Sequence, residues 1–277
     1  MIFNIYRGNR GMTENIEGST HKIFQYPPKT PEQRLFWEIL FLFTIIIAVG
    51  LFGHLASTDV IYTVIISAIF GINLALRFFL INEKGDWLFF LLGVLAGGGN
   101  DLMSMIRGVY SYTSITILPC LPLPFWMILF WGQVFLIFRK VFKIKWLQGA
   151  EFQKNGPLLK GWLNVQLIVD LIILVCLRII IYSTYMNLWL PGIIYGAIIG
   201  VRVIAFPPKK NELLIIAILP YAFIFEGVMV SIGLYVYINP IFLGLPIWLF
   251  LWWIFLVPIL LKEVFDRMEY YFKNKRE

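Results

Sequence analysis

Asp101 sits fourteen residues into an apolar run that begins at Trp87, and Glu226 sits deep in another. A carboxyl group at such depth is costly, so it is either paired or put to use. Both acids are followed by one short pattern: Gly108, Tyr110 and Tyr112 after Asp101, and Gly233, Tyr235 and Tyr237 after Glu226. A carboxylic acid that keeps its proton in an aromatic-lined apolar cavity is a general acid toward an apolar substrate. Tyr110, Tyr112, Tyr235 and Tyr237, with Trp126 and Trp248, would hold positive charge on that substrate against their ring faces. Asp101 and Glu226 are therefore the catalytic candidates, and Asn100, Arg107, Asp170 and Arg178 complete the substrate-binding set. Asp101, Glu226 and Asp170 against the outer guanidiniums Arg107 and Arg178 leave one carboxyl without a counter-charge, a proton donor in waiting. In the competing structural reading, those arginines neutralise the acids, the tyrosines form an interfacial belt, and nothing reacts.

Other chemistries are set aside by residue type. No paired Asp-rich motif holds a metal diphosphate, and His21 and His54 form no metal-spaced cluster, so neither a metal nor a cofactor is expected. The predicted spans contain no lysine for a Schiff base. The run Gly97–Asn100 lacks the Lys and Ser/Thr of a phosphate loop, and its glycines are expected to serve helix packing. Cys120 and Cys176 lie in separate apolar segments and are expected to be small buried hydrophobes, not a disulfide.

The elements that must position these groups are membrane helices. The 277 residues are 60% hydrophobic and 14% charged, outside the range of soluble domains. Residues 1–34 are polar, so no cleavable leader is expected. Apolar runs long enough to cross a bilayer fall at Phe36–Ala56, Val60–Ile81, Trp87–Ile106, Pro119–Phe138, Leu163–Tyr182, Met186–Phe206, Leu213–Tyr237 and Ile241–Leu261. An eight-span map puts nineteen of the 23 Lys and Arg on one face, which predicts a multi-pass cell-membrane protein with both termini cytoplasmic. The net charge of +7 thus reads as topology, with membrane lipids and no nucleic acid as partners; the oligomeric state is left open. Arg77 and Arg202, near helix ends on the basic face, are expected to snorkel to the headgroups.

The second half repeats the first at an offset of 125 residues. Besides the acid–Gly–Tyr–Tyr pattern, the offset matches Trp37 with Trp162, Gly71 with Gly196, Arg77 with Arg202 and Lys84 with Lys209. After a three-residue shortening, Pro124 meets Pro246, Trp126 meets Trp248, Trp131 meets Trp253 and Lys140 meets Lys262. The predicted fold is all-α: eight transmembrane helices as two parallel four-helix repeats about an axis normal to the membrane. The divisions are an N-terminal tail (1–35), repeats at 36–138 and 163–261, a basic linker (139–162) and a C-terminal tail (262–277). Asp101 then lies roughly 21 Å from the start of its helix, in the outer half of the bilayer. Gly108 and Gly233 are expected to admit a neighbouring helix or a ligand. The Tyr-x-Tyr segments are expected to leave their helices in extended form, so that both rings of a pair point one way.

An acid seven residues before a glycine, aromatics at nine and eleven, then a proline and another helix, resembles the repeat of integral-membrane lycopene cyclase domains. The looser E…G-x-Y-x-Y…P…W order is similar to carotenoid hydratases. The matching residues are Asp101, Gly108, Tyr110, Tyr112 and Pro124, then Glu226, Gly233, Tyr235, Tyr237 and Pro246, about thirty residues in each half. The cyclases follow that proline with two glutamates; here stand Phe125–Trp126 and Ile247–Trp248. The resemblance implies a membrane scaffold for long isoprenoids, with Asp101 and Glu226 as the surviving acids for cyclisation, hydration or isomerisation. The runner-up reading is a proton-coupled transporter of the parallel-repeat kind or a lipid-binding protein, and a third is a scaffold without a ligand; polar residues crowding the outer half favour a one-sided site over a path across the bilayer.

Overall fold

A computed structural model describes residues 26–118, 120–144, 147, 164–217 and 219–274. Most of the N-terminal tail and the basic linker, together with Trp162, lie outside the described residues. The chain runs α1 (Pro31–Phe52), α2 (Val60–Ile81), α3 (Asp86–Ile106), β1 (Tyr110–Tyr112), α4 (Phe125–Phe142), α5 (Val165–Thr184) and α6 (Leu190–Ala205). It continues through α7 (Lys210–Ile216), α8 (Leu219–Ser231), β2 (Tyr235–Tyr237) and α9 (Ile247–Phe272). Six of these, α1 to α5 and α9, are long and apolar enough to cross a membrane. Phe79, Leu95 and Ile204 lie bare on the outside, the apolar exterior of a chain surrounded by lipid.

Local chemistry sets the helix ends. Thr30 and Gln33 cap α1 reciprocally, with Pro31 in the first turn where no N–H is required. Asp59 accepts the Ile61 N–H at 2.9 Å to open α2, and Asn164 accepts the Leu167 N–H at 2.9 Å to open α5. Among the described residues, two helices carry a π turn. In α9 it covers Leu256–Leu261, where Pro258 lacks the N–H that a regular ladder needs. In α3 it covers Val94–Gly98, immediately before the turn that bears Asp101.

Four expectations are corrected. The apolar span expected over Leu213–Tyr237 is divided into α7 and α8 ahead of the extended β2, and α6 has only 16 residues. Such a helix rises about 24 Å, short of the hydrocarbon core of about 30 Å. Arg139 and Lys140, assigned from sequence to the linker, belong to α4, and Lys262, assigned to the tail, belongs to α9; all three are buried. Arg77 and Arg202 do not snorkel, for both are buried against carboxylates. Cys120 and Cys176 are exposed on the apolar exterior rather than packed inside.

Buried ionic groups are paired in both halves. Asp86 gathers Arg77 at 2.6 Å, Lys140 at 3.0 Å and Arg139, while Arg77 also binds Glu38 and Arg139 binds Glu269. In the second half, Arg202 holds Asp170 through two bonds of 2.8 and 2.9 Å. Buried charges survive only when paired and hydrogen-bonded in this way. Glu83, in the turn between α2 and α3, belongs to the Asp86 cluster. Burial pushes its carboxyl up, but Lys140, Lys143 and Arg34 outweigh that and hold it down to about 2.

Candidate functional site

The two Tyr-x-Tyr segments are extended, and they pair with each other. β1 and β2 run antiparallel with Tyr110 opposite Tyr237, Ser111 opposite Val236 and Tyr112 opposite Tyr235. Side chains alternate along a strand, so the two tyrosines of each segment share a face, and pairing gathers four rings. Centroids of the cross-strand pairs lie 5.0 Å apart for Tyr110 and Tyr237 and 5.3 Å apart for Tyr112 and Tyr235. The glycines make the turn into each strand. Gly108 has φ +77° and Gly233 has φ +78°, a left-handed conformation that side chains resist. At Gly233 the expected role as a packing notch is corrected, since a Cβ there would meet nothing within 4 Å and conformation is what the position requires; at Gly108 a Cβ would lie 3.3 Å from the Tyr185 hydroxyl, so conformation and close approach coincide.

The ribbon delivers its tyrosines to the two acids. Tyr112 donates its hydroxyl to Asp101 Oδ2 at 3.1 Å, and Trp131 donates its indole N–H to the same oxygen at 2.6 Å. Tyr237 donates to Glu226 Oε1 at 2.6 Å, and Trp253 donates to Glu226 Oε2 at 3.2 Å. Each acid is thus held by the second tyrosine of its own segment and by a tryptophan of the following helix. The two indoles stack at 6.1 Å and 16°. A close approach makes the first clamp possible: a Cβ on Gly97 would lie 2.4 Å from the Trp131 ring, so only glycine lets that ring lie against α3. This part of the glycine run does serve packing, as expected.

Both acids face one elongated cavity of about 420 Å³. Along α4 its lining is a single stripe from Trp126 through Trp131 and Ile137 to Phe142, roughly 24 Å of helix rise. Asn100, Asp101, Ser104, Arg178, Glu226 and the four tyrosines gather at the ribbon end, while Phe138, Val141, Ile215 and Val257 make the other end apolar. Trp126 and Trp248 also line it, each edge-on to a ribbon tyrosine at 6.2 Å. Arg178 sits over Trp252, its Cζ 3.4 Å from the ring centroid, with no ion pair to either acid among the described residues.

The structure thus brings together Asn100, Asp101, Tyr110, Tyr112, Trp126, Arg178, Glu226, Tyr235, Tyr237 and Trp248. It does not bring Arg107 or Asp170, both expected there. Arg107 is exposed at the end of α3, beyond the last helical turn, and Asp170 is consumed by Arg202. The expected count of three carboxyls and two guanidiniums becomes two and one. Trp131 and Trp253 were missed as site residues, although their matched places in the two halves were a usable signal. No known family's profile, no curated protein and no solved structure matches the chain.

Proposed function

We propose that this membrane protein takes a long isoprenoid-like lipid into the cavity between α4, α8 and α9, where Asp101 and Glu226 move a proton on and off it. The observation that carries the reading is the doubled clamp: two carboxyl groups, each fixed by a tyrosine and a tryptophan, at one end of a long aromatic cavity. Two carboxyls face one guanidinium, so charge balance in a low-dielectric site leaves one proton on the acid pair. That proton passes from the carboxyl O–H to an alkene carbon, and the electron pair of the double bond forms the new C–H bond. The resulting carbocation lies among the faces of Tyr110, Tyr112, Tyr235, Tyr237, Trp126 and Trp248. Loss of a neighbouring proton to the second carboxylate completes an isomerisation. Attack of a second double bond of the chain on the cation, forming the ring C–C bond, followed by the same proton loss completes a cyclisation. Capture of water, with the oxonium proton passing to the second carboxylate, completes a hydration. The resemblance to lycopene cyclase domains and carotenoid hydratases supports the same substrate class.

The topology belongs to this proposal: eight crossings of the cell membrane in two parallel four-helix repeats, both termini cytoplasmic, with the short α6 and the divided α7–α8 as two of the crossings. The charge distribution in sequence and the matched clamps of the two halves support it. Mass spectrometry of lipids co-purified in mild detergent tests the function. A defined isoprenoid is expected with the native protein, and its unreacted precursor with the Asp101→Asn, Glu226→Gln double variant. Bulk phospholipid alone in both preparations would rule the isoprenoid reading out.

A further inference from the structure

The acids, the ribbon tyrosines and the stacked tryptophans recur in both halves, but the cavity's guanidinium does not. At the repeat offset, Arg178 corresponds to Gly53, Asn100 to Phe225 and Ser104 to Met229. Gly53 is closed against another side chain, since a Cβ there would lie 2.4 Å from Leu234. The platform under the guanidinium is also one-sided, for Trp252 corresponds to Phe130. A cavity with two-fold related acids therefore carries its cation on one side only.

Two donors on that lining lack acceptors. Arg178 Nε and Trp126 Nε1 are buried with no hydrogen-bond partner. An unmet donor in such surroundings is costly, and more so when it is charged. Among the described residues no hydrogen bond or ion pair joins either donor to the acids, which are held by Tyr112 and Trp131 at Asp101 and by Tyr237 and Trp253 at Glu226. What the lining lacks is an acceptor oxygen supplied from outside the chain. A head group with full negative charge would meet two carboxyls at the same end, so a neutral oxygen suits the site better. A hydroxyl both accepts from a guanidinium and donates to a carboxylate. Behind it, the apolar stripe along α4 offers roughly 24 Å for a chain.

We infer that the ligand is an amphiphile, a prenyl alcohol in chemical class, bound in one orientation. Arg178 and Trp126 hold its hydroxyl oxygen, and its chain runs along α4 toward Phe142. The inference rests on the reading of this cavity as an isoprenoid site. Arg178 sets orientation and selectivity, and Asp101 and Glu226 keep the proton chemistry.

The test is titration of the full-length protein in mild detergent with geranylgeraniol and with the hydrocarbon of the same skeleton lacking the hydroxyl. Quenching of tryptophan emission reports binding, because Trp126, Trp131, Trp248, Trp252 and Trp253 all line the cavity. The native protein is expected to bind the alcohol about tenfold more tightly or better, the worth of a hydrogen bond to a charged donor. Arg178→Met should bring the two affinities together, and a native-like far-UV circular dichroism spectrum shows that the variant is folded. Trp126→Phe keeps an aromatic ring without the donor and should reduce the preference in part. Equal binding of both probes by the native protein, or a preference that survives Arg178→Met, overturns the head-group assignment alone. Failure of the native protein to bind either probe overturns the cavity reading itself, and the assignment with it.

Discussion

Substituting Gly97 by alanine tests how the first acid is held. The added methyl would lie 2.4 Å from the Trp131 Cδ2 and Cε3 atoms, and neither partner is the free end of a flexible side chain. Trp131 must then move off α3, and its N–H leaves Asp101, which it now reaches at 2.6 Å. Overpacking of this kind costs about 1–3 kcal/mol. Loss of a hydrogen bond to an ionisable group costs about 1.5–3 kcal/mol more. Alanine regains up to about 1 kcal/mol of helix propensity. The net expectation is a loss of about 2–5 kcal/mol. Gly99→Ala is the control two residues away, because its added methyl would meet nothing within 4 Å. It should be neutral or slightly stabilising. Titration of each purified protein with SDS, followed by tryptophan emission and circular dichroism, gives the comparison. Equal midpoints for Gly97→Ala and Gly99→Ala would refute the claim that the Trp131 clamp depends on a missing side chain.

Two further predictions concern the ionic clusters. Arg202→Met leaves Asp170 buried without its partner and should cost about 3–5 kcal/mol in SDS unfolding, with most of it recovered when Asp170→Asn is added. Glu83 has a carboxyl at about 2 in the folded protein against 4.5 ordinarily, so the unfolded chain takes up its proton first as pH falls. Its contribution is present above about pH 4.5 and is lost toward pH 2; Glu83→Gln should flatten the unfolding midpoint over that window, and an unchanged pH slope would contradict the assignment.

The sequence by itself determined that the protein is helical and membrane-bound in character, that its halves share a pattern, and that Asp101 and Glu226 are the acids to watch. Hydropathy determines this because hydrocarbon tolerates few polar groups, so each exception stands out along the chain. It also determined the extended Tyr-x-Tyr exits, because Gly108 and Gly233 and the residues after them are poor helix formers. The partners of these groups were decided by tertiary structure. The local pattern marks Asp101 but does not give the partner of either aspartate; Asp170 is filled by Arg202 from α6, thirty-two residues away, and Asp101 faces a cavity. Arg107 and Arg178 likewise look alike in sequence, yet one is exposed past the end of α3 and the other is laid on Trp252 of α9. The pairing of β1 with β2 joins segments 125 residues apart, and no periodicity within either one encodes it. Hydropathy gives each residue's depth along its own helix, whereas hydrogen bonds and ion pairs depend on which helices meet. That choice is made by packing, and in this chain the absence of a side chain at Gly97 is part of it.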